Sequence, residues 1–224
     1  MRLDCVPIIP NNMTTQENKD LKIPDYYRIL DMEIPVTDFP VKEKIILGSG
    51  NDEYDCILMK CIVEEEVAMD HEDPQKIIND FHESMEDDTG IIEVDAGKTK
   101  AGRPYVYFII KHALFAENKE FSGTEYTMNI NVKYDDRIYF INSSFVEGRI
   151  TGKRDTAVFS LRMKEENIQL DEDPFRGWSY DPYDPEYTKG FLMNRSEDVR
   201  YDAMFPDHPL SKARQLVRYI IDNN

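Results

Sequence analysis

A regular alternation of apolar and polar residues in the middle of the chain predicts β-strands. Within residues 126–134, every second residue from Tyr126 to Tyr134 is apolar or aromatic, and the residues between them are polar. This period of two is typical of a strand that has one face on the core and the other in water. The denser apolar run 54–64 predicts a buried strand, and the stretch 26–36 predicts another.

Further strands are predicted in three apolar stretches, 91–94, 105–112 and 137–146. The polar, glycine-containing segment 95–103 is predicted to be a hairpin loop, and the acidic pair at 135–136 a tight turn. Because these connections are too short for parallel crossovers, the sequence predicts successive antiparallel pairs.

A helix is predicted to begin at Asp73 and Pro74. Aspartate caps the free amide groups of a first turn, and proline at the first helical position loses no hydrogen bond. The apolar residues that follow fall on one helix face: Ile77, Ile78, Phe81 and Met85. Gly90 is predicted to end this helix as a left-handed cap.

Two further helices are predicted in the second half of the chain. Residues 155–163 fit a helix, with a strand as the alternative. The last helix is predicted to begin at Pro209. Its apolar face consists of Leu210, Ala213, Leu216, Val217, Ile220 and Ile221. Lys212, Arg214 and Arg218 are expected on the flanks and far side of this helix.

These elements define an α+β protein, in which an antiparallel β-sheet is flanked by helices and followed by a long acidic aromatic loop and a C-terminal helix. Residues 1–24 lack periodicity and are expected to be an irregular lead-in. Residues 25–164 are predicted to form an α+β sandwich domain. The acidic loop and C-terminal helix, residues 165–224, are expected to pack on the same domain.

The charge balance of the chain favours some partners and disfavours others. The 224 residues include 44 Asp and Glu against 27 Lys and Arg, which gives a formal net charge of -17. Such a surface repels phosphate groups, so neither nucleic acid nor an anionic membrane is an expected partner. A basic protein partner is expected, and the alternative is that the charge serves only solubility. With 41% hydrophobic and 11% aromatic residues, the chain is too apolar to be disordered.

Targeting signals and cysteine usage favour the cytoplasm. No apolar run approaches the roughly 20 residues of a membrane span. The short apolar patch 6–10 contains two prolines, and no signal-peptide cleavage site follows it. The three cysteines, Cys5, Cys56 and Cys61, are too few for a disulfide framework and fit a reducing compartment. We therefore predict a cytoplasmic protein.

Motifs of metal, nucleotide and nucleophilic chemistry are incomplete in this sequence. Cys56 and Cys61 stand an odd number of positions apart on one predicted strand, so they should face opposite sides and share no metal. The four histidines have no ligand spacing. Segment 97–99 lacks the earlier glycine of a phosphate loop, and segment 48–50 lacks the spacing of a nucleophile elbow. No metal, cofactor or assembled catalytic centre is therefore predicted.

Asp207 and His208 form an alternative catalytic pair, because an aspartate can orient an imidazole as a general base. The same residues also have a structural interpretation, which we favour. Segment 205–209 contains two prolines, a capping position and an aromatic anchor, which together can set the entry of the last helix.

The most unusual local feature is the cluster from Trp178 to Arg195, which overlaps the acidic stretch 165–188. It is rich in acidic residues and tyrosines, and it contains the single tryptophan of the chain. Aromatic rings beside carboxylates can bind cationic groups. The candidate binding residues are Trp178, Tyr180, Asp181, Tyr183 and Asp184. The alternative interpretation is that this segment covers a face of the sheet.

The order of predicted elements between Tyr26 and Met163 is two strands, a helix, several strands and a second helix, and it resembles that of the PsbP-like superfamily. The resemblance implies an antiparallel sheet with helices on both sides. The superfamily includes an extrinsic subunit of the oxygen-evolving complex, a Ran-binding transport factor and bacterial proteins. Its members are mostly binding or accessory proteins, so the resemblance implies a non-enzymatic role and transfers no catalytic residue. The tail from Glu165 has no counterpart in this resemblance.

Together these observations predict a non-enzymatic cytosolic protein of bacterial type. It would bind a basic protein as an adaptor, a chaperone or a toxin-neutralising partner. The first alternative is a metal-dependent or histidine-based hydrolase that uses His208 or the acidic loops. The second alternative is a structural subunit that self-associates, because the sequence leaves the oligomeric state open.

Overall fold

Seven antiparallel strands form one sheet within the residues that the computed structural model describes, which are 20–30, 41–50, 54–70, 72–117, 120–147, 152–165 and 173–224. In chain order the strands are β1 Arg28–Ile29, β2 Val41–Gly50, β3 Tyr54–Val63, β4 Thr89–Lys98, β5 Pro104–Phe115, β6 Phe121–Lys133 and β7 Ile138–Val146. Their order across the sheet is β1-β2-β3-β7-β6-β5-β4, and each neighbouring pair is antiparallel. The prediction of an antiparallel sheet is confirmed.

Helices accompany the sheet in the described residues. They are α1 Pro74–Ser84, α2 Lys153–Glu165 and α3 Pro209–Asn223. A second, small sheet pairs β8 Ser179–Tyr180 with β9 Met193–Asn194, and short 3-10 helices occupy Glu65–Val67, Arg195–Glu197 and Val199–Met204. The fold is therefore α+β with a C-terminal helix, as the sequence predicts. Among the residues described, no helix combines the length and the apolar character that a membrane crossing needs.

The two faces of the sheet meet different helices. Ile109 on β5 belongs to a large core cluster with α3, whereas Ile110 belongs to a smaller cluster with Ile78 of α1. Because neighbouring residues of a strand point to opposite faces, α3 and α1 cover opposite sides of the sheet. Burial of each large aliphatic side chain of α3 contributes about 1.5–3 kcal/mol, so its apolar face holds the helix on the sheet.

Two helices begin where their capping residues predict. The Asp73 carboxylate accepts a hydrogen bond from an amide of the first turn of α1 at 3.0 Å, and Pro74 is the first helical residue. Helix α3 begins at Pro209, and its N-cap is His208. The helix predicted over 155–163 lies within α2 and is confirmed.

Gly90 does not end α1, contrary to the prediction. The helix ends at Ser84, and Gly90 lies inside β4. A Cβ atom at position 90 would lie 1.8 Å from the carbonyl oxygen of Phe191, a distance that no side chain permits. Glycine is needed here because a second backbone segment approaches closely. The sequence alone does not distinguish a glycine of this kind from one that caps a helix.

Strand β2 is absent from the sequence-based prediction. Charged residues precede a short apolar run in its sequence, so neither alternation nor a long apolar stretch marks it. The strand forms because Ile46 and Leu47 pair with Met59 and Leu58 of the buried strand β3.

Other strand boundaries also differ from the prediction. Within the predicted strand 26–36, β1 covers Arg28–Ile29, and residues 31–40 lie outside the described residues. The predicted hairpin loop 95–103 shortens to 99–103, because β4 and β5 remain paired to its ends. One pair of neighbouring strands in the described part of the sheet is not consecutive in the chain. The connection through α1 leads from β3 to β4 at the far edge of the sheet, and β3 pairs with β7.

The middle of the polar face of β6 is not in water, contrary to the prediction, although Lys133 at the end of the strand is exposed. Asn129 and Asn131 are only 7% and 1% exposed. The Asn142 side chain on β7 donates to Asn129 Oδ1 at 2.9 Å, and Phe108 of β5 stands opposite Asn129. Because β6 lies between β5 and β7, side chains of both neighbours cover these two asparagines.

A buried network of charged residues joins α2 to α3. Arg154 of α2 is 0% exposed and donates to Asp202 Oδ1 at 3.1 Å. Arg214 of α3 donates to the same oxygen at 3.0 Å and to Glu93 Oε2 on β4 at 2.7 Å. Burial acts to lower the pKa of Arg214, but Glu93 and Asp202 outweigh burial and raise the pKa. The prediction of an outward Arg214 is therefore wrong, because these distant carboxylates hold it in the interior.

Candidate binding cleft

A cleft of about 490 Å³ opens at one end of the sheet. Lys111 on β5 and Tyr126 on β6 line it, and so does Glu147, which directly follows β7. Asp155 in the first turn of α2 and several residues of the segment 178–197 complete the lining. We call this cavity the sheet-end cleft.

An ion pair between Lys111 and Glu197 lies in the buried part of the cleft. The two side chains are 1% and 2% exposed, and Lys111 Nζ lies 2.8 Å from Glu197 Oε2. The Tyr126 hydroxyl donates to Glu197 Oε1 at 2.9 Å. Burial, together with the charge of Glu197, holds the pKa of Tyr126 well above its usual range, so the hydroxyl remains a donor. The Glu197 carboxylate is therefore held in place by partners within the protein.

The local sequence explains why Glu197 points into the cleft. The Asn194 side chain accepts a hydrogen bond from the Ser196 amide at 2.9 Å. In return, Glu197 Oε2 accepts one from the Asn194 amide at 2.7 Å, which completes a capping box on the 3-10 helix. This reciprocal pair fixes the Glu197 side chain through contacts that are local in the sequence.

Asp155 lies beside this ion pair. Ser196 Oγ donates to one of its oxygens, and Asn194 Nδ2 donates to the other at 3.3 Å. Burial raises the pKa of Asp155. Glu197 and Glu147 raise this pKa further, while the hydrogen bond from Ser196 and the charge of Lys111 oppose them. Burial is the main cause of the shift, because it disfavours the charged form of the carboxyl group.

Glu147 contacts His208 at the start of α3. His208 Nε2 lies 3.1 Å from Glu147 Oε1, and His208 Nδ1 accepts a hydrogen bond from the Leu210 amide at 3.2 Å. An imidazole that accepts at Nδ1 donates from Nε2, so both ring nitrogens are engaged. Asp207, the other member of the alternative catalytic pair, is exposed. His208 therefore has the geometry of an N-cap of α3, as in the structural interpretation of segment 205–209.

Aromatic rings provide the apolar part of the cleft. Phe121 and Phe191 meet edge to face with centroids 6.1 Å apart, and Phe121 is 52% exposed. The Lys111 ammonium lies 4.0 Å from the centroid of the Phe191 ring. Trp178 also lines the cleft and packs edge to face on Phe159 of α2 at 5.2 Å. The cleft therefore combines aromatic faces with carboxylates.

Close backbone contacts place Phe191 in the cleft. The Phe191 amide donates to the Thr89 carbonyl at 2.8 Å. Gly190 has φ +78°, and an added Cβ there would lie 2.5 Å from the same carbonyl oxygen. Gly90 leaves room for the Phe191 carbonyl. The two glycines therefore let this segment pack directly on the start of β4.

The structure divides the predicted binding residues between two places. Trp178 lines the cleft. Asp181 is 5% exposed, and its Oδ1 accepts hydrogen bonds from the amides of Tyr183 and Asp184, both at 2.9 Å. Its other oxygen lies 3.0 Å from His82 Nε2 on α1. The carboxylate of Asp181 is therefore used inside the protein.

Tyr183 and Tyr180 also contact the protein itself. The Tyr183 hydroxyl donates to the Val94 carbonyl at 3.1 Å and accepts from the Val94 amide at 2.5 Å. Burial raises the pKa of Tyr183 to about 12. Tyr180 is half-buried, with its ring centroid 6.0 Å from the Arg195 guanidinium. The contacts of Asp181 and Tyr183 hold this part of the segment against α1 and against the backbone of the edge strand β4.

Sequence reasoning missed the charged residues of the cleft, although two signals were present. Lys111 interrupts an apolar strand, and a lysine in such a run is rarely buried without a partner. Asn194 and Glu197 have the spacing of a capping box. Glu147 and Asp155 have no local signal, because the cleft brings them together from different elements.

Neither the described side chains nor the comparisons with known proteins identify a metal or a reaction for the cleft. Within the described ranges, no group of three or more His, Cys, Asp or Glu side chains could hold a metal ion. No family model matches the chain, and no curated protein matches it. The resemblance to the PsbP-like superfamily therefore stays a prediction.

Proposed function

We propose that the protein binds a second, basic protein through its acidic surface and has no catalytic activity of its own. The observation that carries this proposal is the division of charge between interior and surface. Among the described residues, the buried bases are Lys60, Lys111, Arg154 and Arg214, and the buried acids are Asp181, Glu197 and Asp202. These charges nearly cancel, so the formal net charge of -17 belongs almost wholly to the rest of the chain. A field of this sign attracts basic proteins and accelerates their encounter.

The docking surface in this proposal is an acidic ridge beside α1. We define the acidic ridge by Glu83, Glu86, Asp87, Asp184 and Glu186, which are exposed or half-exposed. Its two parts are adjacent because His82 of α1 lies 3.0 Å from Asp181 and stacks on Tyr187 with centroids 4.1 Å apart. Tyr183 is 37% exposed and adds an aromatic edge. In this way Tyr183, Asp184 and Glu186, which belong to the predicted acidic aromatic loop, would contribute to the interface.

A cytoplasmic location in a bacterial cell belongs to the same proposal. Cys56 and Cys61 are buried, and their spacing on β3 places them on opposite faces. Burial raises the pKa of Cys61 to about 11, which suppresses the reactive thiolate. Buried thiols of this kind fit a reducing compartment, and the PsbP-like resemblance agrees with a bacterial accessory protein.

Affinity capture at two salt concentrations tests the proposed function. The purified protein serves as bait, and captured proteins are identified after washing at about 50 mM and about 500 mM NaCl, where charge interactions are screened to different extents. We expect a basic partner that is retained at low salt and released at high salt. No retained partner under either condition would contradict the proposal.

A charge-matched pair of variants shows whether the acidic ridge is the docking surface. The ridge variant carries Glu83→Gln, Glu86→Gln, Asp184→Asn and Glu186→Gln. The control variant removes the same charge from exposed positions elsewhere: Asp25→Asn, Glu117→Gln, Asp135→Asn and Asp222→Asn. We expect the ridge variant to bind the captured partner at least tenfold more weakly than the control variant. Equal weakening in both variants would indicate a general charge effect instead of a defined surface.

The alternative function, a metal-dependent or His208-based hydrolase, has weaker support. Both ring nitrogens of His208 are engaged, one by Glu147 and one by a helix amide. Metal analysis and a substrate panel with the wild type and His208→Asn test this alternative. Asparagine is a good N-cap, so this variant removes the imidazole while it keeps an oxygen that can cap α3.

A further inference from the structure

We propose that the sheet-end cleft receives one lysine or arginine side chain of the basic partner. This inference rests on the proposed function, because it names the group that the partner would insert. The sheet-end cleft is a separate feature from the acidic ridge, which would provide the long-range attraction.

The cavity has the size and lining of a pocket for a single side chain. Its volume of about 490 Å³ lies in the range of about 300–1,000 Å³ that is typical of pockets for small groups. Phe121, Phe191 and Trp178 line it, and Phe121 is 52% exposed and accessible from solvent. Aromatic faces suit the methylene stem of a long basic side chain, and they attract its cationic end.

The lining of the cleft carries an excess of negative charge. Glu197 is compensated by Lys111 at 2.8 Å. Glu147 and Asp155 receive hydrogen bonds from an imidazole, a hydroxyl and an amide, none of which compensates a carboxylate charge in this arrangement. With Lys111 included, the charged groups of the lining leave two negative charges in excess. An incoming cation is therefore the complementary ligand, and an anion is disfavoured.

A contact of the proposed kind is already present inside the protein. The Lys111 ammonium lies 4.0 Å from the centroid of the Phe191 ring while it pairs with Glu197. This arrangement of a cation between a ring and a carboxylate is the one that we propose for the incoming side chain, with Phe121 and Trp178 as rings and Asp155 and Glu147 as carboxylates.

The single tryptophan of the chain makes the test direct, because Trp178 lines the cleft and reports on its occupancy. The probes are the acetylated methylamides of arginine and lysine, with those of citrulline and norleucine as uncharged matches. We expect a saturable change of Trp178 fluorescence with the two cationic probes and no saturable change with the uncharged ones. Equal responses to citrulline and arginine would overturn the proposal.

Substitutions in the sheet-end cleft show whether the arginine probe binds there. Asp155→Asn combined with Glu147→Gln should weaken the arginine probe at least tenfold, and Phe121→Leu should weaken it about threefold or more. Phe121 is half-exposed, so its variant tests the cleft even if the double variant does not fold. Asp135→Asn, at an exposed turn away from the cleft, should bind the probe as the wild type does. An unchanged affinity in both cleft variants would overturn the proposal.

The captured partner distinguishes a protein side chain from a free small cation. We expect the arginine probe to compete with the partner, and the cleft variants to weaken partner binding. If the probe binds but neither effect occurs, the occupant is a free cation and the inference fails while the proposed function stands. If no basic partner is captured at any salt concentration, the proposed function fails and the inference fails with it.

Discussion

Asp155 is a residue of the cleft whose ionisation depends on its surroundings. Burial raises its pKa, and Glu197 and Glu147 add to this effect. The native state therefore binds the Asp155 proton more tightly than the unfolded chain does. Stability is then lost as the pH rises from the usual aspartate value, about 3.9, through the raised pKa.

Replacement of Asp155 by asparagine should remove this pH dependence. We expect Asp155→Asn to be more stable than the wild type at about pH 7, with a difference that shrinks towards about pH 4. The measurement is the free energy of unfolding in urea across this pH range. Asp135→Asn, the same substitution at an exposed turn, is the reference. A difference that grows at low pH would contradict the direction of the pKa shift.

Residue positions could be predicted from the sequence where their determinants are local. The Asp73 cap and the helix entry at Pro209 depend on neighbours within one turn, so pattern analysis finds them. The burial of Arg214 depends on Glu93, which lies 121 positions away. No local pattern contains such a contact, and the charged lining of the sheet-end cleft escapes prediction for the same reason.

At the scale of elements, the 3-10 helix Arg195–Glu197 depends on its ion pair with β5. Lys111→Met keeps the length of the side chain but leaves the Glu197 carboxylate buried without its cation. We expect a loss of about 3–5 kcal/mol in the free energy of unfolding, measured in urea. Part of this loss should be recovered when Glu197→Gln is added, because the uncompensated charge is then removed.

The matched control for this variant is Lys76→Met. Lys76 pairs with Asp80 on the exposed surface of α1, with an N–O distance of 2.8 Å. Exposed pairs of this kind contribute little, so we expect no change beyond the error of the measurement. Similar losses in the two variants would show that burial of the Lys111 pair is not what makes it important.

Elements were predictable where the pattern was long and regular. The alternation in β6, the apolar run in β3 and the helical face of α3 all correspond to elements of the structure. Strand β2 could not be found, because its pairing with β3 supplies what its own pattern lacks. The pairing of β3 with β7 is also beyond local patterns, because it depends on the path of the connection through α1.

At the scale of the whole molecule, repulsion among the negative charges lowers the stability of the folded state, and salt should reduce this loss. A formal charge of -17 on 224 residues repels itself, and added salt screens this repulsion within about 3–10 Å. We expect the midpoint of thermal unfolding to rise by about 2–4 °C between low salt and about 0.5 M NaCl, equivalent to about 1 kcal/mol.

The charge-reduced control variant at Asp25, Glu117, Asp135 and Asp222 provides the comparison. With less self-repulsion to screen, it should show a smaller rise of the midpoint over the same salt range. A midpoint that falls with salt would mean that attractive pairs such as Lys60 with Asp20 outweigh the net repulsion.

The contact between Gly90 and the Phe191 carbonyl links a sheet strand to the wall of a cavity that Gly90 itself does not line. A methyl group gained at position 90 by a single substitution would have to displace the chain around Phe191. A single substitution outside the sheet-end cleft would in this way change its shape, while every side chain that lines the cleft keeps its identity.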